Sequence, residues 1–127
     1  MTKEWAVLLH DEFDPEFSAL PEEVQDEIFA ALPLLKAYGP QLGRPYADTL
    51  KGSAHANMKE LRFKAADGVW RLAYAFAPER RAILLVAGDK SGGSQTRFYK
   101  VLIAKADQRL TQHLDAMKEK KNGLIIG

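Results

Sequence analysis

The chain has 127 residues, 46% hydrophobic and 28% charged, which is typical of one soluble globular domain over residues 1–127. It contains no cysteine, which excludes a disulfide scaffold, a zinc–thiolate site and a thiol nucleophile. Acidic residues follow the first apolar run and no run of about 18 apolar residues occurs, so we expect a cytoplasmic protein without a signal peptide or membrane span.

The net charge of +1 conceals an uneven distribution of charge along the chain. Residues 1–40 contain nine acidic residues and two lysines, whereas residues 41–127 contain sixteen Lys and Arg and eight acidic residues. A basic segment of this kind can attract a polyanion even when the whole chain is nearly neutral. An ordinary solvated surface explains the asymmetry equally well, so charge alone does not decide between the two.

The N-terminal part of the chain predicts a strand followed by helices. The short apolar run Trp5–His10 is bounded by charges, which favours a first strand. A short helical turn is expected within Asp11–Leu20. Pro21 suits the first position of a longer helix, which ends before a Gly-Pro stop signal. Because Pro33 lacks the N–H that an interior helical position needs, we expect a kink or a break immediately before it.

The remainder of the chain predicts three antiparallel strands and a last helix. After a long Gly- and Pro-rich connection over residues 40–56, short turn signals separate three strand candidates. These candidates are Asn57–Phe63, Val69–Phe76 and Arg81–Gly88. A polar loop over residues 89–96 leads to a helix capped by Thr96, and residues 119–127 are expected to form a frayed tail. This order predicts an α+β domain with helices on one face of the sheet.

Residue alternation in two of these strands separates a bulky face from a charged face. In Val69–Phe76 the even-numbered residues are large, whereas Arg71 lies among small residues on the opposite face. In the preceding strand, Glu60 and Arg62 share the face opposite its bulky residues. If the bulky residues of both strands face the helices, these three charged residues converge on an open face. The alanines of that face would leave room for a nucleotide.

Further charged residues extend this cluster. Lys90 directly follows the third strand, and Arg97 and Tyr99 open the last helix, whose N-terminus also favours anions. Arginine suits phosphate because its planar guanidinium donates paired hydrogen bonds and stays charged. The pattern indicates a basic groove that could hold a phosphate. Solvent-facing strand residues, with Arg62 and Arg71 paired to Glu60, would give the same pattern, and the residues alone leave both interpretations open.

Other kinds of site lack their sequence signatures. In Gly88-Asp89-Lys90-Ser91 the aspartate replaces the glycine that precedes the lysine of a phosphate-binding loop. The three histidines, at positions 10, 55 and 113, have no metal-ligand spacing, and no nucleophile elbow occurs. We therefore expect a site that uses neither a metal nor an organic cofactor.

Four short motifs carry a resemblance to a known family. They are Lys59-Glu60-Leu61-Arg62, Trp70-Arg71, Gly88-Asp89-Lys90 and Arg97-Phe98-Tyr99. Each is weak alone, but their order and spacing resemble the phage-associated, HigB-like branch of the RelE/ParE toxin superfamily over roughly residues 5–115. The resemblance implies the RelE-like fold, which is a small twisted, mainly antiparallel sheet with N-terminal helices and a C-terminal helix packed on it.

The resemblance also implies a function and its residues. It implies the toxin of a type II toxin–antitoxin system, which cleaves mRNA, often on the ribosome, and is neutralised by a helix-turn-helix antitoxin. Arg62 and Arg71 would bind the scissile phosphate, and Lys90, Arg97 and Tyr99 would complete the site. The residues expected to be catalytic are Arg62, Arg71, Lys90 and Tyr99, and those expected to bind substrate are Lys59, Glu60, Lys64 and Arg97.

Cleavage without a metal must align the 2′-hydroxyl with its own phosphate, remove its proton and stabilise developing charge. Arginine is too basic to remove that proton, so Lys90 or Tyr99 is the favoured proton carrier, with Glu60 as an orienting partner. Neighbouring cations would lower the pKa of Tyr99. Two alternatives stay open. They are a ParE-like inhibitor of DNA gyrase, which usually lacks this full set of basic residues and tyrosine, and a non-catalytic module that binds RNA or an antitoxin.

Overall fold

A computed structural model describes residues 4–126 as a five-stranded sheet with three helices. The elements are β1 (Ala6–Leu9), α1 (Phe13–Ala19), α2 (Glu22–Tyr38), a 3₁₀ turn (Gly39–Gln41), β2 (Ala47–Thr49), β3 (Met58–Ala65), β4 (Gly68–Ala77), β5 (Arg81–Asp89) and α3 (Gln95–Ile126). The sheet order is β1-β5-β4-β3-β2, and β1 is parallel to β5 while the other neighbours are antiparallel. The predicted α+β class and mainly antiparallel sheet are confirmed.

Helices cover both faces of this sheet, whereas the sequence predicted helices on one face. α1 and α2 pack on the face that carries Leu72 and Tyr74, and α3 packs on the opposite face through Leu102. Ala73 and Ala75 are fully buried in the second cluster. The prediction that these alanines leave an open face for a nucleotide is therefore wrong, because small side chains instead allow a helix to pack closely on the strand.

α2 continues through Pro33 to Tyr38, so the predicted break is wrong. Pro33 and the residue one turn earlier, Phe29, both lie on the exposed side of the helix. The Phe29 carbonyl receives no hydrogen bond from within the helix, because Pro33 has no N–H, and water can hydrate it instead. α2 ends at Gly39, where φ is +53° and an added Cβ would lie 2.2 Å from the Trp5 indole nitrogen. Glycine is thus required at this position.

α3 begins at Gln95, and its cap is Ser94 and not the predicted Thr96. The Ser94 hydroxyl accepts a hydrogen bond from the Arg97 backbone N–H at 3.2 Å. The helical backbone continues through residues 119–126, where we expected a frayed tail. Gly127 lies outside the described residues. Within residues 4–126, no helix has both the length and the hydrophobicity that crossing a bilayer requires.

A buried arginine fixes the middle of α3 to the rest of the fold. Arg109 is 5% exposed and donates to the Leu85 carbonyl of β5 at 2.7 Å and to Glu16 of α1 at 2.8 Å. The β4–β5 register shifts between Ala73 and Tyr74, so Leu85 has no paired residue on β4. Arg109 therefore donates to a backbone carbonyl at an irregular point of the sheet, and it links both helical layers.

Candidate active site

A buried carboxylate joins the charged ends of β3, β4 and α3. Arg62 of β3 lies opposite Arg71 of β4, and Glu60 is on the same face as both. The Arg62 Nη1 donates to Glu60 Oε2 at 2.7 Å, and the Tyr99 hydroxyl donates to Glu60 Oε1 at 2.9 Å. The Arg71 Nε donates to the Tyr99 hydroxyl at 3.2 Å. The network thus holds two guanidinium groups and one hydroxyl around a single negative charge.

Burial makes this network rigid. Glu60 is 4% exposed and Arg71 is 6% exposed, whereas the Arg62 side chain is 22% exposed. The Arg71 Nη1 also donates to the Trp70 carbonyl at 2.9 Å, and its Nε lies 3.8 Å from Glu60 Oε1. Hydrogen bonds to charged groups are stronger where water is excluded, so these contacts hold both arginines in place before any ligand binds.

The pKa of Tyr99 moves in the opposite direction to the one predicted. Burial raises the pKa of the Tyr99 hydroxyl, because desolvation disfavours the phenolate. The hydrogen bond from Arg71 opposes this rise, but the hydrogen bond to Glu60 adds to it. The prediction that neighbouring cations lower the pKa of Tyr99 is wrong, and its hydroxyl stays protonated at neutral pH.

The network lines a groove of about 350 Å³, defined here as the active-site groove. Its lining residues are Arg44, Asp48, Thr49, Leu50, Lys51, Glu60, Arg62, Arg71, Lys90, Gln95 and Tyr99. Lys90 reaches it directly after β5, where its backbone N–H donates to the Val69 carbonyl at 2.7 Å. Next to it, hydrogen bonds from Ser91 lower the pKa of Asp89 and fix the start of the loop. The structure therefore brings Arg62, Arg71 and Lys90 together with Tyr99.

Three predicted substrate-binding residues lie outside this groove. Lys59 is opposite Tyr74 in the β3–β4 ladder, so it lies on the sheet face that α1 and α2 cover. Arg97 lies on the outer surface of α3, beside Lys100. Lys64 lines an adjoining hollow. A shift of one residue along a strand moves a side chain to the other face of the sheet, and a shift of one residue along a helix rotates it by about a third of a turn. The spacing of the motifs alone therefore did not determine the faces on which Lys59 and Arg97 lie.

The groove also contains residues that the sequence did not indicate. Arg44 precedes β2 and Asp48 lies in it, and the Arg44 Nη2 donates to Asp48 Oδ2 at 2.8 Å. This hydrogen bond lowers the pKa of the largely solvated Asp48. β2 places Asp48 opposite Glu60, so both carboxylates that line the groove are bonded to arginines. Within the part of the chain that the structure describes, no three His, Asp or Glu side chains form a cluster that could hold a metal ion.

Known proteins resemble the chain in sequence and in fold. The family model described as Phage derived protein Gp49-like (DUF891) matches residues 15–111. A Mycobacterium tuberculosis protein described as toxin HigB3 is 42% identical over 104 residues, which cover 82% of this chain and 89% of HigB3. Another protein of that organism, described as toxin HigB2, is 40% identical over 105 residues, which cover 82% of this chain and 52% of HigB2. The chain therefore spans about half the length of HigB2.

A solved structure of the Escherichia coli toxin RelE, a double arginine-to-alanine variant in the free state, superimposes with a TM-score of 0.58 at 13% identity. The match covers 80% of this chain and 96% of the RelE chain. At this identity the likeness establishes the fold, and it confirms the predicted RelE-like architecture. The family match extends over most of the chain and includes β3, β4, β5 and the groove-forming turn of α3. The chain belongs to the Gp49-like family, which its similarity to the two HigB proteins supports, and it has a RelE-like fold.

Proposed function

We propose that this chain is the toxin of a type II toxin–antitoxin system and acts as a metal-independent endoribonuclease on mRNA at the ribosome. The observation that carries the proposal is the buried network of Glu60, Arg62, Arg71 and Tyr99 in one groove with Lys90. The toxin names of the two HigB relatives support the toxin role. The proposed partner is a helix-turn-helix antitoxin, and the proposed location is the cytoplasm.

The charge of the groove suits a phosphodiester. Its lining contains the cations Arg44, Lys51, Arg62, Arg71 and Lys90 and the two carboxylates already described. Glu60 offsets part of the charge, but cations remain in excess, so the groove attracts an anion. Fixed guanidinium groups stabilise the charge that develops on phosphorus oxygens without having to reorganise. Arg62 and Arg71 therefore bind the scissile phosphate.

The proton path follows from the hydrogen bonds of Tyr99. A hydroxyl has one donor and two acceptor positions, and Tyr99 already donates to Glu60 and accepts from Arg71. Its second acceptor position can receive the proton of the substrate 2′-hydroxyl while its own proton passes to Glu60. A tyrosine with a raised pKa suits such a relay, because it never has to exist as a free phenolate.

The bonds and protons of the reaction then balance. The 2′-oxygen forms a bond to phosphorus as the bond to the 5′-oxygen breaks, and the Lys90 ammonium supplies the proton that the leaving oxygen takes. The products are a 2′,3′-cyclic phosphate and a 5′-hydroxyl end. Glu60 and Lys90 exchange protons with solvent to restore the starting state.

Mapping of RNA ends after induction tests this proposal. Wild-type protein should arrest growth and generate new 5′-hydroxyl ends in mRNA, and purified protein should generate the same ends in ribosome-bound mRNA. Arg62→Ala should lose both effects, whereas Lys120→Ala, an exposed lysine about 37 Å along α3 from Gln95, should keep them. Inhibition of gyrase supercoiling without RNA cleavage would instead support the ParE-like function.

A further inference from the structure

A second hollow of about 360 Å³ adjoins the active-site groove. The two cavities share Arg44, Arg62 and Arg71 as lining residues. The other lining residues of the second hollow are Pro45, Phe63, Lys64 and Val69. The arginines assigned to the scissile phosphate therefore lie between two cavities, and only the groove contains Glu60, Lys90 and Tyr99.

The register of the sheet explains this second hollow. Lys64 lies opposite Val69, one same-face step beyond the Arg62–Arg71 pair towards the β3–β4 turn. α3 covers the other end of this face, where Ala73 is fully buried. Val69 is only partly buried and Lys64 is exposed, so this end of the face is accessible.

The division of chemistry between the cavities orients an RNA chain. A phosphodiester has one nucleoside on each side, and the nucleoside on the 5′ side carries the attacking 2′-hydroxyl. That ribose must lie in the active-site groove, because Tyr99 and Glu60 line the groove and not the second hollow. The nucleoside on the 3′ side of the scissile phosphate then extends past Arg62 and Arg71 into the second hollow.

We propose that the second hollow binds the base of the nucleotide on the 3′ side of the scissile phosphate, and that Lys64 binds the phosphate that follows it. This proposal rests on the ribonuclease function proposed above. Val69 and Pro45 offer an apolar surface to the flat face of a base, and Arg44 and Lys64 place positive charge near them. Apolar contact to a base face tolerates different bases, so the hollow contributes to binding at many cleavage sites.

The test uses RNA oligonucleotides that contain one mapped cleavage site, assayed free and bound to ribosomes. An abasic nucleotide on the 3′ side of the scissile phosphate should slow cleavage by wild-type protein by about fivefold, the loss expected when roughly 40 Å² of apolar surface is no longer buried. An abasic nucleotide five positions upstream is the matched control and should not slow it. Val69→Trp fills the hollow and should lose the difference between the intact and abasic substrates.

Lys64→Ala provides an independent measurement that does not depend on the Val69 variant folding. It should reduce the slope of log K against log salt for single-stranded RNA by about 0.7, because one phosphate contact is lost. Lys120→Ala should leave the slope unchanged. Equal cleavage of the intact and abasic substrates by wild-type protein, or an unchanged slope for Lys64→Ala, would overturn the proposal while the ribonuclease function stands. Failure of wild-type protein to cleave any RNA would overturn both.

Discussion

Replacing Tyr99 with phenylalanine tests the proposed proton relay at a single atom. The change removes the hydroxyl that donates to Glu60 at 2.9 Å and accepts from Arg71 at 3.2 Å, and it keeps the ring that packs edge-to-face on Phe98. A hydrogen bond to a charged group contributes about 1.5–3 kcal/mol, so the free energy of unfolding should fall by about 2 kcal/mol. A domain of ordinary stability, about 5–15 kcal/mol, stays folded after this loss.

The activity of Tyr99→Phe should fall much more than its stability. Loss of a positioned proton carrier should reduce kcat by about 100-fold or more. Binding of an uncleavable RNA with 2′-deoxyribose at the cleavage position should change little, because Arg62 and Arg71 keep their charges. Single-turnover cleavage, RNA binding and urea unfolding measure the three effects, with Tyr38→Phe, 56% exposed, as control. A Tyr99→Phe protein with wild-type kcat would show that this hydroxyl carries no proton in the reaction.

Three further predictions concern stability and the limits of the groove. Hydrogen bonds from Arg109 lower the pKa of Glu16 below the usual value of about 4.3. The ionised Glu16 therefore stabilises the fold at neutral pH, and this stabilisation is lost as the pH falls through the pKa of Glu16 in the folded protein. Urea midpoints of Glu16→Gln should therefore vary less below about pH 5 than those of wild type, and equal pH profiles would contradict this. Gly39→Ala should lower the free energy of unfolding by more than about 1 kcal/mol, because alanine is strained at φ +53° and its Cβ would overlap Trp5. An unchanged urea midpoint would refute the close contact between residue 39 and Trp5. Arg97→Ala should cleave at the wild-type rate, because Arg97 lies on the outer surface of α3, and a large loss would show that RNA also contacts that surface.

Much of the fold was predictable because strong local signals agreed with the tertiary structure. The three long strands match their predicted ranges to within two residues at each end. Residue alternation identifies each strand, and turn residues identify where it begins and ends. β2 was missed because three residues, Ala47–Thr49, are too few to show alternation. The packing of α3 on the second face of the sheet was not predicted. Bulky residues indicated only one buried face of the sheet, whereas Ala73 and Ala75 show that small residues can form a second buried face.

The site was predictable where strand alternation determines direction. Pairing of β3 with β4 puts Arg62 and Arg71 side by side, as the pattern of large and small residues indicated. Arg44 was not predictable, because it depends on how an irregular connection folds back on the sheet. The direction of the pKa shift of Tyr99 was not predictable either, since it depends on how deeply the hydroxyl is buried, which no residue pattern records.

The anchoring of α3 has a consequence for how mutational data on this protein should be interpreted. Arg109 does not line the active-site groove, and it is about 15 Å along the helix axis from Tyr99. Its hydrogen bonds to Glu16 and Leu85 nevertheless hold the helix whose first turns carry Tyr99 into the groove. A scan scored by growth arrest would therefore rank Arg109 beside the groove residues, and only cleavage measured per folded molecule would separate the two kinds of position.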